Sequence, residues 1–125
     1  MIEHTETTDG VTYDLIIHPE DIPPEGHASA IDPETDREVL EWIYSELDAG
    51  NMLAWCTVEC RASYGPFSTS DYLGACSYAS LADFLDPQGY WPGMKHEALR
   101  QLAREIGVAR DSLADLPQAI LDSLA

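Results

Sequence analysis

Basic residues are scarce in this chain of 125 residues, which has 6 Lys plus Arg against 23 Asp plus Glu and a formal net charge of −17 at pH 7. A surface with this charge repels the phosphates of DNA and RNA and the headgroups of anionic lipids, because the attraction that drives such binding is reversed. We therefore expect no direct binding to nucleic acid and none to membranes. The same charge favours a basic protein or a cationic small molecule as the partner.

Long apolar runs and targeting signals are also missing. No window approaches the roughly 18 consecutive apolar residues of a membrane span, and Met1-Ile2-Glu3-His4 lacks the basic start and apolar run of a secretory signal. The three cysteines are an odd number, which suits a reducing compartment. We expect a cytoplasmic protein. Its oligomeric state is left open by the sequence.

Enzyme and metal motifs are not found either. The four histidines show no HxH, HxxxH or HExxH spacing, and Walker A, GxGxxG and GxSxG motifs are missing. Cys56 and Cys60 would lie about 13 Å apart on one strand, too far for a shared disulfide or metal, so together with Cys76 they are expected to be buried thiols. We predict no enzymatic activity, no metal and no cofactor. A small enzyme with a Cys76 nucleophile is the weakest alternative.

Apolar residues make up 45% of the chain, enough for a core, and the length suggests a single domain over residues 1–125. Residues 1–10 are polar and are expected to be flexible. Period-two alternation predicts strands over 11–17, 52–64 and 71–78, the last two as a hairpin. Helical spacing predicts helices over 33–49, 80–85, 94–106 and 113–124. This order favours an α+β fold in which helices pack on a small antiparallel sheet of about three strands.

The negative charge is concentrated in the first part of the chain, where residues 1–59 hold 15 acidic residues and 1 basic residue. The helix that starts at Asp32-Pro33 is expected to bury Val39, Leu40, Ile43 and Leu47. At about 100° per residue, four carboxylates fall on the opposite side of that helix. We call this set the acidic ridge: Glu34, Glu38, Glu41 and Asp48.

Two further features of this region are candidate partner-binding residues. Trp42 lies on the flank between the acidic ridge and the buried stripe, where a partly exposed tryptophan beside carboxylates suits an interface anchor. Packing of Trp42 under the preceding proline-rich loop is an equally favoured alternative. That loop adds Glu20, Asp21 and Glu25 to the acidic surface.

Three segments carry a resemblance to known proteins: Ala54-Trp55-Cys56, the stretch 71–78 (DYLGACSY), and 88–91 (QGYW) with the nearby Met94-Lys95. They resemble small acidic proteins of unknown function that bacteriophages and mobile elements encode, and the resemblance runs from about Gly26 to Leu102. It implies a bacterial host cell as the setting. Acidic phage proteins of this size include anti-restriction and anti-CRISPR inhibitors, several of which mimic DNA. No residue role is carried over.

The leading hypothesis is therefore an acidic inhibitor or decoy, in which carboxylates take the place of phosphates and bind a basic nucleic-acid-binding host defence protein. A nuclease or a CRISPR effector subunit fits that description. The alternative is a phage or mobile-element accessory module that binds its protein partner through aromatic and apolar contacts, while the charge serves only solubility. Adaptation to high salt is a further explanation of the acidity, although it would spread the charge more evenly.

Overall fold

A four-stranded antiparallel sheet lies at the centre of the computed structural model, which describes residues 1–114 of the chain. The strands are β1 (Ile2–Thr8), β2 (Val11–Pro19), β3 (Cys56–Tyr64) and β4 (Phe67–Cys76), and they lie side by side in this order. Helices α1 (Pro33–Asp48), α2 (Leu81–Phe84) and α3 (Trp91–Ala114) complete the fold. The α+β prediction is confirmed, with four strands rather than about three.

The extra strand is β1, which forms from Ile2 to Thr8, within the polar segment 1–10 for which the sequence predicts no strand. β1 pairs with β2 from Ile2 to Thr8. Asp9 and Gly10 join the two strands, and both have positive φ, 53° and 81°. A two-residue turn with both residues in this region matches the right-handed twist of a hairpin, and Asp-Gly is a preferred sequence for it.

Helix α1 begins and ends close to where the sequence predicts. The side chain of Asp32 accepts a hydrogen bond from the Thr35 backbone N–H at 2.8 Å, and Pro33 takes the first helical position, where its missing N–H costs nothing. The buried face is narrower than expected. Ile43 is the only residue of α1 that is fully buried, whereas Val39, Leu40 and Leu47 are partly exposed.

The predicted strand over 52–64 begins later than expected, because Met52–Ala54 form a short 3₁₀ turn before β3. The side chain of Asn51 caps this turn by accepting a hydrogen bond from the Leu53 N–H at 3.2 Å. β3 and β4 are joined by Gly65-Pro66, with Gly65 at φ 57°. That conformation suits the first position of a two-residue hairpin loop and is open to glycine at no steric cost.

Helix α3 is longer than the predicted helix over 94–106. It starts at Trp91 and continues through Gly107, where the sequence predicts its end. The final helical segment predicted over 113–124 falls almost entirely beyond Ala114, outside the described residues. Within residues 1–114, none of the helices combines the length and the apolar character needed to cross a membrane.

The main core lies between one face of the sheet and helix α3, which packs on β3 and β4. Leu15, Val58, Phe84 and Leu102 are among its fully buried side chains. All three cysteines are buried and free, as the sequence predicts. Helix α1 packs elsewhere, on the 3₁₀ turn. The two long helices therefore pack on different parts of the fold, α1 on the 3₁₀ turn and α3 on the sheet.

Candidate acidic interaction surface

The acidic ridge lies on the exposed side of α1. All four of its carboxylates are exposed, whereas Ile43 on the opposite side of the helix is fully buried. At about 1.5 Å per residue, the ridge residues rise by roughly 6, 4.5 and 10.5 Å from one to the next. The ridge is thus a line of negative charge about 21 Å long.

No cation neutralises this line within the described part of the chain. The salt bridges there use Glu6, Glu59 and Glu97, none of which belongs to α1. The one basic residue of α1, Arg37, is exposed and takes part in none of them. The ridge carboxylates therefore face solvent as free charges.

Charge differs between the parts of the fold that carry α1 and α3. Residues 20–50, the proline-rich loop together with α1, hold ten acidic residues and one basic residue, a net charge of −9. Helix α3 holds three acidic and four basic residues, a net charge of +1. Since α1 packs on the 3₁₀ turn and α3 on β3 and β4, the acidic field is concentrated on the α1 side.

Glu20, one of the predicted partner-binding residues, lies apart from the ridge and is held within the fold. Its carboxylate accepts hydrogen bonds from the Ala75 N–H at 2.8 Å, the Thr57 hydroxyl at 2.6 Å and the Ile22 N–H at 3.2 Å. These hydrogen bonds, that from Ala75 first, hold the pKa of Glu20 below its usual value. Glu20 thus joins the loop to β3 and the end of β4.

Glu25 and Asp21, the other two loop residues, are exposed. Glu25 accepts a hydrogen bond from the Tyr44 hydroxyl, which brings this carboxylate against α1 and lowers its pKa. Asp21 takes part in no side-chain hydrogen bond among the described residues. Of the loop carboxylates, Glu25 is therefore the one that the structure brings to the helix bearing the ridge.

Trp42 has 40% of its surface exposed, and Tyr44, two residues further along α1, has 44% exposed. The loop is held instead by Trp55, whose indole N–H donates to the Ile22 carbonyl at 2.7 Å. Trp42 thus keeps a large apolar surface in solvent beside the ridge carboxylate Glu41, its neighbour in the chain. Such a side chain can add apolar contact area to a charged interface.

A polar cluster that the sequence did not predict surrounds Glu59 on the sheet face opposite the main core. Glu59 is 3% exposed. It accepts hydrogen bonds from Ser70 Oγ at 2.6 Å and from Arg61 Nε at 3.3 Å, and lies 2.7 Å from His18 Nε2. Burial opposes ionisation, but Ser70, His18 and the charge of Arg61 outweigh it, so the pKa of Glu59 is lowered.

This cluster is satisfied by its own members, and the four most prominent cavities among the described residues are lined by residues other than Glu59. Nor does any group of three or more His, Cys, Asp or Glu within residues 1–114 have an arrangement that could hold a metal ion. The cluster's chemistry is that of an internal ion network that joins β2, β3 and β4.

A second carboxylate, Glu6, joins β1 to α3. The Glu6 carboxylate forms an ion pair with Lys95 and accepts a hydrogen bond from the indole N–H of Trp91 at 3.2 Å. A third partner, His4 Nε2, lies 2.8 Å from Glu6 Oε2. Partial burial opposes ionisation, yet these partners lower the pKa of Glu6 to about 2. Like Glu20 and Glu59, Glu6 connects separate elements of the fold. The ridge carboxylates differ from all three because they have no such partners in the described structure.

Comparison with known proteins gave no match: no protein-family model, no curated protein and no solved structure is significantly similar to this chain.

Proposed function

We propose that this protein is an acidic decoy that binds a basic, nucleic-acid-binding host defence protein, such as a nuclease or a CRISPR effector subunit, and occupies its nucleic-acid site. One observation carries the proposal: four exposed carboxylates line one helix and have no cationic partner within the described residues. In the complex, they would stand in for the phosphates of the nucleic acid.

Electrostatic competition explains this role better than atom-by-atom mimicry. Phosphates of one DNA strand recur about every 3.4 Å along the duplex axis, whereas the ridge carboxylates are spaced more widely and less regularly. The net charge of −9 on residues 20–50 would still attract a basic groove and speed association. A phage or mobile-element origin, as the sequence resemblance implies, would make anti-CRISPR or anti-restriction activity the biological purpose.

The test begins with affinity capture on the full-length protein from a bacterial lysate. Each captured protein is then purified, loaded with fluorescent duplex DNA or guide RNA, and titrated with the acidic protein while fluorescence anisotropy is recorded. We expect displacement of the nucleic acid, with an affinity at least about tenfold weaker at 0.5 M than at 0.05 M salt because exposed charges are screened. Binding that leaves the nucleic acid in place and ignores salt contradicts the proposal.

Two matched variants distinguish the effect of the ridge on binding from the effect of the total net charge. The ridge variant combines Glu34→Gln, Glu38→Gln, Glu41→Gln and Asp48→Asn. The control variant removes the same number of exposed charges from other elements through Glu3→Gln, Asp9→Asn, Asp83→Asn and Glu105→Gln. The ridge variant should lose at least about tenfold in association rate, and the control much less. Equal losses would show that only the total charge matters.

The exposed Trp42 favours a second candidate function, a protein-interaction module that binds through aromatic contacts. In that case, Trp42→Ala abolishes binding to the captured partner, whereas the ridge variant binds normally. Tyr44→Ala, which removes the neighbouring exposed ring from the same helix, is the control for a general loss of surface area. A decoy gives the reverse order, with the ridge variant the more impaired.

A further inference from the structure

Two of the three cysteines face each other across the β3–β4 pair. Cys56 begins β3, Cys76 ends β4, and the register makes them direct partners. Both side chains belong to the main core, so both point to the same face of the sheet. Paired Cα atoms of an antiparallel ladder are about 4.5–5.5 Å apart, and a disulfide needs roughly 4.4–6.8 Å.

A bulge in β4 creates this pairing. Val58 is the partner of Leu73, and an uninterrupted ladder would then place Ala75 opposite Cys56. One extra residue in β4 shifts the register, so that Cys76 takes that place. Ala75 has φ 53°, and its N–H donates to Glu20 at 2.8 Å. The carboxylate of Glu20 therefore fixes the bulge that brings the two thiols together.

The two thiols are both buried but differ in their surroundings. Cys56 is 0% exposed, whereas Cys76 is 4% exposed and lies at the wall of an open cavity of about 270 Å³, together with Tyr78 and Tyr90. The neighbouring Cys56 thiol lowers the pKa of Cys76, and the same interaction raises the pKa of Cys56. Of the two, Cys76 is thus the thiol next to an open cavity and the one whose ionisation is favoured.

The third thiol has neither feature. Cys60 lies on the same face of β3 and is fully buried, but its partner in the register is Asp71. Burial raises the pKa of Cys60 to about 12, so it remains protonated. The fold therefore provides one reactive pair and, a few residues away, one inert thiol that serves as an internal control.

We propose that Cys56 and Cys76 are a peroxide-reactive pair that forms a reversible cross-strand disulfide. The Cys76 thiolate attacks one oxygen of hydrogen peroxide, the O–O bond breaks, and a sulfenic acid and hydroxide form. The Cys56 sulfur, as it gives up its proton, then attacks the Cys76 sulfur and expels the hydroxyl, which leaves as water. Overall, two thiols lose two electrons and two protons, and one peroxide is reduced to two waters.

The disulfide would join two segments that already meet at this end of the sheet. The Tyr78 N–H, just after β4, donates to the Leu53 carbonyl at 2.8 Å, and Leu53 belongs to the 3₁₀ turn on which α1 packs. Oxidation would thus link the 3₁₀ turn on which α1 packs more firmly to the end of β4. This inference rests on the cysteines and stands whether or not the protein is a decoy.

The experiment treats the reduced, full-length protein with hydrogen peroxide under native conditions, and then blocks the remaining thiols with a maleimide in denaturant. We expect the three free thiols to fall to one, the intact mass to drop by two hydrogen atoms before blocking, and peptide mapping to find Cys56 joined to Cys76. Dithiothreitol should restore all three thiols. Three persisting thiols, a bond to Cys60, or only intermolecular disulfides would overturn the proposal.

Variants and an unfolded control sharpen this result. Cys60→Ala should still form the disulfide, whereas Cys56→Ala should stop at a sulfenic acid on Cys76 that dimedone traps. If Cys56→Ala fails to fold by circular dichroism, the comparison uses the wild-type chain alone. In guanidinium, oxidation should give a mixture of the pairings, while the native chain gives one. The same mixture from both states would mean that the fold does not select the pair.

Discussion

Ser70→Ala isolates one hydrogen bond of the buried Glu59 cluster. The hydroxyl of Ser70 donates to Glu59 Oε2 at 2.6 Å, and Ala removes it with little change in shape. Ser68→Ala is the matched control, because Ser68 is the neighbouring serine on the same face of the edge strand β4 and is exposed. The pair of variants thus separates the hydrogen bond from any general effect of Ser→Ala on that strand.

The expected loss in free energy of unfolding for Ser70→Ala follows from the charge and the burial of the acceptor, Glu59. A hydrogen bond to a charged group contributes about 1.5–3 kcal/mol, and Glu59 is 3% exposed. His18 and Arg61 still hold the carboxylate in the variant, so we expect the lower end, about 1.5–2 kcal/mol. The Ser68→Ala control should stay within about 0.5 kcal/mol of wild type.

Urea unfolding at pH 7, followed by tryptophan fluorescence and by far-ultraviolet circular dichroism, measures these differences. Ser70 helps to keep the pKa of Glu59 low, so its contribution is complete above the ordinary glutamate pKa and is lost as the pH falls through the folded-state pKa. The gap between Ser70→Ala and wild type should therefore shrink in acid. Equal unfolding midpoints for the two serine variants, or a gap that does not depend on pH, would refute this reasoning.

Three further predictions concern stability. Glu6→Gln should lower the free energy of unfolding by about 2 kcal/mol at pH 7. In a pH series of urea unfolding, this difference should vanish as the pH falls from 4.5, the ordinary pKa of glutamate, through about 2, the pKa of Glu6 in the fold. A difference that stays constant with pH would contradict the prediction. Phe84→Ala should lower the free energy of unfolding, measured by calorimetry, by about 3–5 kcal/mol, because this fully buried ring packs edge-on against Tyr78 and Trp91. The ridge variant should melt at a higher temperature than wild type, since like charges three and four residues apart repel each other; a lower melting temperature would mean that the ridge stabilises the helix.

Helix α1 could be predicted from the sequence because its signals are local. Asp32 and Pro33 specify its start within a few residues, and the exposure of the ridge follows from 100° per residue once Ile43 is placed inside. None of this needs knowledge of the rest of the fold. The exposure of the ridge could therefore be predicted from the sequence, while the identity of a partner could not.

Strand β1 could not be predicted in the same way. Its side chains are mostly polar, and only His4 and Glu6 are partly covered, so it lacks the alternation of apolar and polar residues that marks a half-buried strand. What holds it is the pairing with β2 and the contacts of Glu6 with Lys95 and Trp91. These contacts span almost the whole described chain and leave no local signal.

The Glu59 cluster and the cysteine pair depend on register. Thr57, Glu59 and Arg61 form a polar series that predicts a wet face, and the burial of Glu59 arises only when His18 and Ser70 are aligned beside it. The Cys56–Cys76 pairing further depends on one inserted residue in β4. A shift of one position would reverse the face of every side chain on a strand, so sequence spacing alone could not find either feature.

The acidic residues of this protein thus divide into two groups by their partners. Glu6, Glu20 and Glu59 each accept several hydrogen bonds, and their pKa values are lowered by the fold that they hold together. The ridge carboxylates repel one another on a single helix and receive no compensating contact within the described residues, so we expect them, taken together, to weaken the folded state. Solubility alone would not require the charges to be placed in one line. A partner with a basic groove would relieve that repulsion on binding, as the proposed decoy function requires.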